Sequence, residues 1–352
     1  MTRCVFRVRL FVVGVSFLAV ACGGGGHAPT AAPPSAPPVA PITPNAPSPS
    51  TPPNLSLLNC GGRSAPGDVQ FRRNVAFPFQ NIGGIADLYA PKEGSLSAAC
   101  PVIVVLPPGC SVRSDVTWVG PLLAAQGYVV MIASAEIVGG DNVPICAAMA
   151  SAALDFLVST ANPFRASTDT SRAGGVGYSQ AGRVLVLLQN QDRRFKAIVA
   201  WDNLPKSDLP DQGSPSCARD PGVRIAPRAP ALGLASEICN VAALGIDAKK
   251  TGFDSWRASG MPAMEIVFAG ANHGAFAGGG SSTAPFIGRY TQLWFDRWLK
   301  GDTTATARLL ATSIDPEQDG TPVDRMTLLS AVWRSAAFLD GFDCADLRTS
   351  CP

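Results

Sequence analysis

Ser179 sits in the run Gly174–Val184, GGVGYSQAGRV, with Gly177 two residues before it and Ala181 two after. A serine hydroxyl becomes a useful nucleophile when a neighbouring base removes its proton. A turn that holds such a serine up between a strand and a helix needs small residues at those two flanking positions, because the backbones nearly touch there. The chain holds two histidines, His27 and His273. His27 lies in a Gly- and Pro-rich segment unable to bury a site. His273, in FAGANHGAF after the last apolar run, is therefore the base expected to take the Ser179 proton and return it to a leaving group. A carboxylate must orient its imidazole. Glu237, just past an apolar run in PALGLASEICN, is the preferred acid; Asp202, in VAWDNLP, is its rival, and Asp247 lies further off. Any of the three could instead be a surface carboxylate at a strand end.

Charge developing on a carbonyl oxygen needs two backbone donors. Gln180, directly after the serine, supplies one, and Cys110 in PPGCSVRS the other, with Pro107, Pro108 and Gly109 stiffening that loop. A backbone donor makes no demand on its side chain, and Cys110 is better read as half of a disulfide than as a second nucleophile. This chemistry requires no cofactor. The chain has no CxxC pair, which argues against zinc. Asp315–Gly320, DPEQDG, resembles the start of a calcium loop, but Met326 stands where the closing glutamate belongs, so a solvated acidic turn is expected.

These residues need a scaffold. Six apolar runs (Pro101–Gly109, Gly127–Ser134, Arg172–Ser179, Phe195–Trp201, Pro230–Ser236 and Met264–Gly270) read as strands buried on both faces. Between and after them, residues 117–127, 145–160, 180–190 and 285–302 have helical spacing, the last stopping at Lys300-Gly301. DVQFRRNVAF and GGIADLYAP read as antiparallel entry strands. The expected class is α/β: a mostly parallel, doubly wound sheet with an antiparallel entry.

The chain has 352 residues, a formal net charge of +2 and 15% charged residues, with no basic block for a nucleic acid. Residues 1–21 read as a signal peptide: Arg3, Arg7 and Arg9 precede an uncharged run, Leu10–Ala21, too short for the roughly 20 residues that span a bilayer. The run ends FLAVAC, so Cys22 is the expected lipidation site, although Ala19 stands where such signals carry leucine. Residues 22–54 read as a Pro-rich tether and 55–352 as the folded domain. Export with a lipid anchor to a bacterial cell envelope is the expected localisation, and a monomer the expected state. Excluding Cys4 and Cys22, eight cysteines remain, an even number that suggests disulfides. Cys344 and Cys351 are near enough in sequence to close a small terminal loop, and Cys217 and Cys239 flank one expected strand.

VVLPPGCSVRSDVTWVGPLLAAQGYVVMIAS, GYSQAG, AWDNL, GLASE and ANHGAF resemble bacterial cutinases and poly(ethylene terephthalate) hydrolases, over roughly Gly83–Asp302. The resemblance implies the α/β-hydrolase fold, Ser179 as nucleophile, His273 as base and Gln180 as an oxyanion donor. It also implies that Trp201 lines the substrate cleft, with Tyr178 beside it. Three features depart from that family. Cys110 replaces an aromatic residue, the family's catalytic aspartate falls at Cys239, and Asn203–Arg228 is longer and could cover the cleft. The expected activity is hydrolysis of carboxylic esters, polyester or aromatic esters among them, through an acyl-enzyme. A lidded lipase or bulky-ester esterase, and a non-catalytic binding lipoprotein of the same fold, are the alternatives.

Overall fold

The computed structural model describes residues 60, 68–92, 99–135, 142–202, 204–206, 225–238, 246–316 and 320–335. The signal, Cys22, the tether, Cys217, Cys239, Cys344, Cys351 and most of the Asn203–Arg228 segment lie outside them.

Strands β1 (Gln70–Phe77) and β2 (Gly84–Ala90) open the chain as an antiparallel pair. They are followed by β3 (Cys100–Leu106), α1 (Val119–Ala125), β4 (Val129–Ser134), α2 (Val143–Val158), β5 (Thr168–Tyr178), α3 (Gln180–Gln191) and β6 (Phe195–Trp201). Then come β7 (Ala231–Ile238), α4 (Ile246–Ala258), β8 (Ala263–Asn272), α5 (Ala284–Leu299) and α6 (Thr304–Leu310). A short ribbon, β9 (Ser313–Ile314) with β10 (Val323–Asp324), leads through α7 (Arg325–Leu328) into β11 (Leu329–Arg334). The main sheet has nine strands in the order β1-β2-β4-β3-β5-β6-β7-β8-β11. From β4 to β8 neighbouring strands are parallel; β1, β2 and β11 run against their neighbours.

The burial pattern explains this topology. All seven residues of β3 and all six of β4 are buried, as a strand covered on both faces must be. One cluster packs Leu154, Leu185, Leu188, Phe253 and Trp256 of α2, α3 and α4 against one face. The other packs Leu123, Ile287, Tyr290, Leu293 and Phe295 of α1 and α5 against the opposite face. The sheet is thus doubly wound, and the expected strands and helices are present with ends shifted by a few residues.

The short elements α6, α7, β9 and β10 were not anticipated, nor were β11 and α4. β11 adds an antiparallel edge beside β8. Helix α4 hides behind a Gly and several polar residues, yet the buried positions among its described side chains, 249, 252, 253, 255 and 256, follow helical spacing. Burying Phe253 and Trp256 on that stripe contributes about 3–6 kcal/mol. A parallel sheet carries its ligands beyond the carboxyl ends of its strands, and β3, β5, β6 and β8 all end at that one edge.

Candidate active site

Among the described residues, five non-glycine positions have positive φ: Asn74, Gln80, Cys110, Ser179 and Asp202. The last three follow the carboxyl ends of β3, β5 and β6, which are adjacent in the sheet. Left-handed backbone at a residue with a Cβ costs on the order of 1–3 kcal/mol and persists where its surroundings over-determine it. Three such residues side by side mark this edge as a built site.

Ser179 has φ 59° and ψ −124° at the junction of β5 and α3. Its N–H donates to Trp201 O at 2.9 Å, and its carbonyl accepts from Gly182 N–H at 2.9 Å, so strand and helix both grip the turn. A Cβ on Gly177 would lie 2.4 Å from Ala181 O. The small residue at that position is therefore a steric requirement of the turn. The hydroxyl is carried at a partly exposed position above the sheet.

His273 follows β8, and its loop returns across the sheet edge toward β5 and β6. Tyr178, the residue before Ser179, donates its hydroxyl to His273 O at 2.8 Å, and the two rings are 5.1 Å apart. The imidazole Nδ1 is hydrogen-bonded to Asp202 Oδ2. Asp202 is the residue after β6, held by its N–H to Leu234 O at 2.7 Å. Its other oxygen accepts from the Ser236 N–H at 3.0 Å and from the Ser236 hydroxyl. Lys249 Nζ of α4 stands 3.5 Å from that same Oδ1, with side-chain exposures of 1% for the lysine and 0% for the aspartate. Burial alone would raise the Asp202 carboxyl. The bonds from His273 and Ser236 and the Lys249 charge outweigh it, and the group sits below the usual carboxylate value.

The acid on His273 is therefore Asp202, and the preference for Glu237 is corrected. Adjacent residues of a strand point to opposite faces. On β7, Ser236 is turned toward Asp202, so Glu237 is turned away, and its carboxylate accepts the Gly270 N–H at 2.7 Å. Glu237 ties the ends of β7 and β8 together. It does not touch the imidazole.

Three further expectations change. The Cys110 N–H donates to Pro107 O at 2.9 Å, closing a tight turn, so it points back into its own loop instead of out to a carbonyl oxygen. The loop still lies against the nucleophile: the Gln180 side chain would be 3.6 Å from a Cβ on Gly109. Trp201 is fully buried and cannot line a cleft. Its Nε1 donates to Thr291 Oγ1 at 3.0 Å, and its ring is stacked under Trp118 at 5.2 Å. Tyr178 is 4% exposed, with its hydroxyl engaged by the His273 carbonyl, so it braces the base rather than offering a ring to substrate. Burial, with the Asp202 charge behind it, raises its phenol well above the ordinary range.

Trp118 is the half-buried indole at this edge, and sequence reasoning missed it. Its Nε1 donates to Phe276 O at 3.2 Å, while Gly278 N–H donates to Asp115 O at 2.7 Å. The loops after β3 and β8 are thereby joined. Gly279 has φ +71°, and a Cβ there would lie 2.6 Å from Trp118 Cβ. On the far side, a disulfide joins Cys110 to Cys146 of α2, and another joins Cys60 to Cys100. Closing the 36-residue separation between Cys110 and Cys146 stabilises the fold by about 3–4 kcal/mol on a chain-entropy basis. That bond ties the loop after β3 to α2.

Residues 68–212 match the family model described as PET hydrolase-like (PETase). The described residues form an α/β-hydrolase fold, and over that stretch the chain is similar to the PET hydrolase-like family. Cutinase 2 of Thermobifida cellulosilytica is 27% identical over 148 residues, which cover 42% of this chain and 55% of that protein. Cutinase est2 of Thermobifida alba is 28% identical over 148 residues, covering 42% of this chain and 47% of that protein. The chain thus spans about half the length of the curated relatives it matches.

Proposed function

We propose that the protein hydrolyses carboxylic esters. Ser179 attacks the carbonyl carbon; His273 Nε2 takes the hydroxyl proton and delivers it to the departing alkoxide, leaving an acyl-enzyme. Water then gives a proton to His273 and attacks the acyl carbonyl; collapse breaks the bond to Ser179, whose oxygen takes that proton back from the imidazolium as the acid leaves. Asp202 holds Nδ1–H and stabilises the imidazolium. The N–H of Gln180 lies at the start of α3, where backbone donors and the helix dipole favour an oxyanion.

The observation that supports this reading is the buried Asp202 carboxylate bonded to His273 Nδ1, at the same sheet edge as a serine in a strained strand-to-helix turn. Apolar or aromatic acyl esters fit a rim that includes Trp118, and polyester is the finer substrate proposal. Nitrophenyl esters of increasing acyl length, run beside poly(ethylene terephthalate) film, test it. Turnover of the short esters is expected, with soluble product also released from film. Turnover confined to long acyl chains would point to a lipase, and none on any ester would remove the reading.

The same reading includes export, a signal over residues 1–21 and lipid attachment at Cys22, in a monomeric envelope protein. Two disulfides support an oxidising compartment.

A further inference from the structure

Helix α4 supports the site from behind the sheet edge. A Cβ on Gly252 would lie 1.6 Å from Leu204 O, so the helix backbone presses on the segment that follows Asp202. Trp256 Nε1 donates to Pro205 O at 3.1 Å and secures the same segment. One turn earlier, the helix delivers the Lys249 ammonium to Asp202 Oδ1.

We propose that Lys249 is a positioning residue: its charge on Oδ1 keeps Asp202 ionised and aims Oδ2 at His273. The proposal rests on the Ser179–His273–Asp202 reading. An ionised carboxylate taken fully out of water needs charged or hydrogen-bonding partners on both oxygens. Oδ2 has the imidazole; Oδ1 has Ser236 and Lys249. When His273 takes the Ser179 proton, the ammonium on the far oxygen lowers the carboxylate's basicity, so the proton remains on the ring.

The charged and titratable neighbours decide where the Lys249 charge is committed. Asp202 is faced by His273 from the loop after β8, by Lys249 from α4 and by Tyr178 from β5. Asp115 acts on Tyr178, and Glu237 is turned away toward Gly270. Glu265 of β8 is fully buried opposite Gly233, where a Cβ would meet its carboxylate at 1.8 Å. Burial pushes that carboxyl well above the usual range, against the pull of Lys249 and the Leu204 backbone. Burial thus disfavours the Glu265 anion, and the ion pair that Lys249 makes is with Asp202.

The test follows nitrophenyl acetate hydrolysis against pH in the wild type, Lys249→Met and Lys249→Arg, and in Lys249→Met combined with Asp202→Asn. Lys249→Met is expected to lower kcat about 10–100-fold with KM within about 3-fold, because the lost group acts on the base and not on substrate. A cation removed at this range moves the acidic limb of kcat/KM up by about one pH unit. Lys249→Arg should return the limb to its wild-type place. In the Asp202→Asn background, Lys249→Met should cost less than about 2-fold. An unmoved limb, or an undiminished loss in that background, overturns the proposal while leaving the triad standing. A wild-type rate in Asp202→Asn alone would overturn the triad reading itself. If Lys249→Met does not fold, Lys249→Gln is read in its place, and an unmoved limb there is equally fatal.

Discussion

Asp202→Asn is expected to lower kcat for ester hydrolysis by about 10³–10⁴-fold, while Glu237→Gln stays within about 3-fold of the wild type. The two carboxylates lie near the same sheet edge, but one of them bonds the imidazole. An asparagine amide placed against Nδ1 can donate to it, which drives the ring proton onto Nε2 and leaves His273 unable to accept from Ser179. The variant also leaves the buried Lys249 ammonium without its anion, a loss of about 3–5 kcal/mol for a broken buried pair. Thermal melting run beside the kinetics separates these effects, because activity measured well below the melting point reports the tautomer alone. Equal losses in the two variants would show that the hydrogen bond to Asp202 does not orient the base.

Ser179→Ala should cost about 10⁵–10⁶-fold in kcat, and His273→Ala nearly as much. Together they should cost little more than either alone, since a nucleophile without its base and a base without its nucleophile are equally idle. A residual rate above that of water is expected from the Gln180 N–H and the helix terminus. Ser179 also carries the strained backbone of the elbow, with its φ of 59°. Alanine tolerates that conformation no better than serine, so the stability of Ser179→Ala should match the wild type. A fully active Ser179→Ala, or losses that multiply in the double variant, would refute the nucleophile assignment.

The scaffold was legible because a buried parallel sheet writes itself as continuous apolar runs, and β3 and β4 are such runs. Ser179 and His273 stood out by elimination, as a glycine-flanked serine and the one histidine outside the tether, and the structure sets them after the ends of β5 and β8. The acid did not stand out. Whether the carboxylate at Glu237 or at Asp202 faces the base depends on which face of β7 looks inward, and Ser236 and Glu237 alternate by a single residue. Local spacing cannot fix that phase without the register between β7 and its neighbours. Lys249 was invisible for a related reason. Its helix contains Gly252, which disfavours helix by about 1 kcal/mol and is present because a backbone carbonyl lies where a side chain would go. Trp201 and Tyr178 were identified as substrate contacts from the resemblance, yet Trp118 lies over one and the His273 loop engages the other. The pairing of Cys110 with Cys146 is a contact between distant elements and had no local signal.

Fluorophosphonate labelling followed by peptide mass spectrometry tests the central claim most directly, because the probe reports the activated serine and its supporting acid together. The account predicts one phosphonyl group on Ser179, formed at the wild-type rate in Glu237→Gln and far more slowly in Asp202→Asn. No adduct, an adduct on another residue, or slow labelling in Glu237→Gln with normal labelling in Asp202→Asn would contradict it.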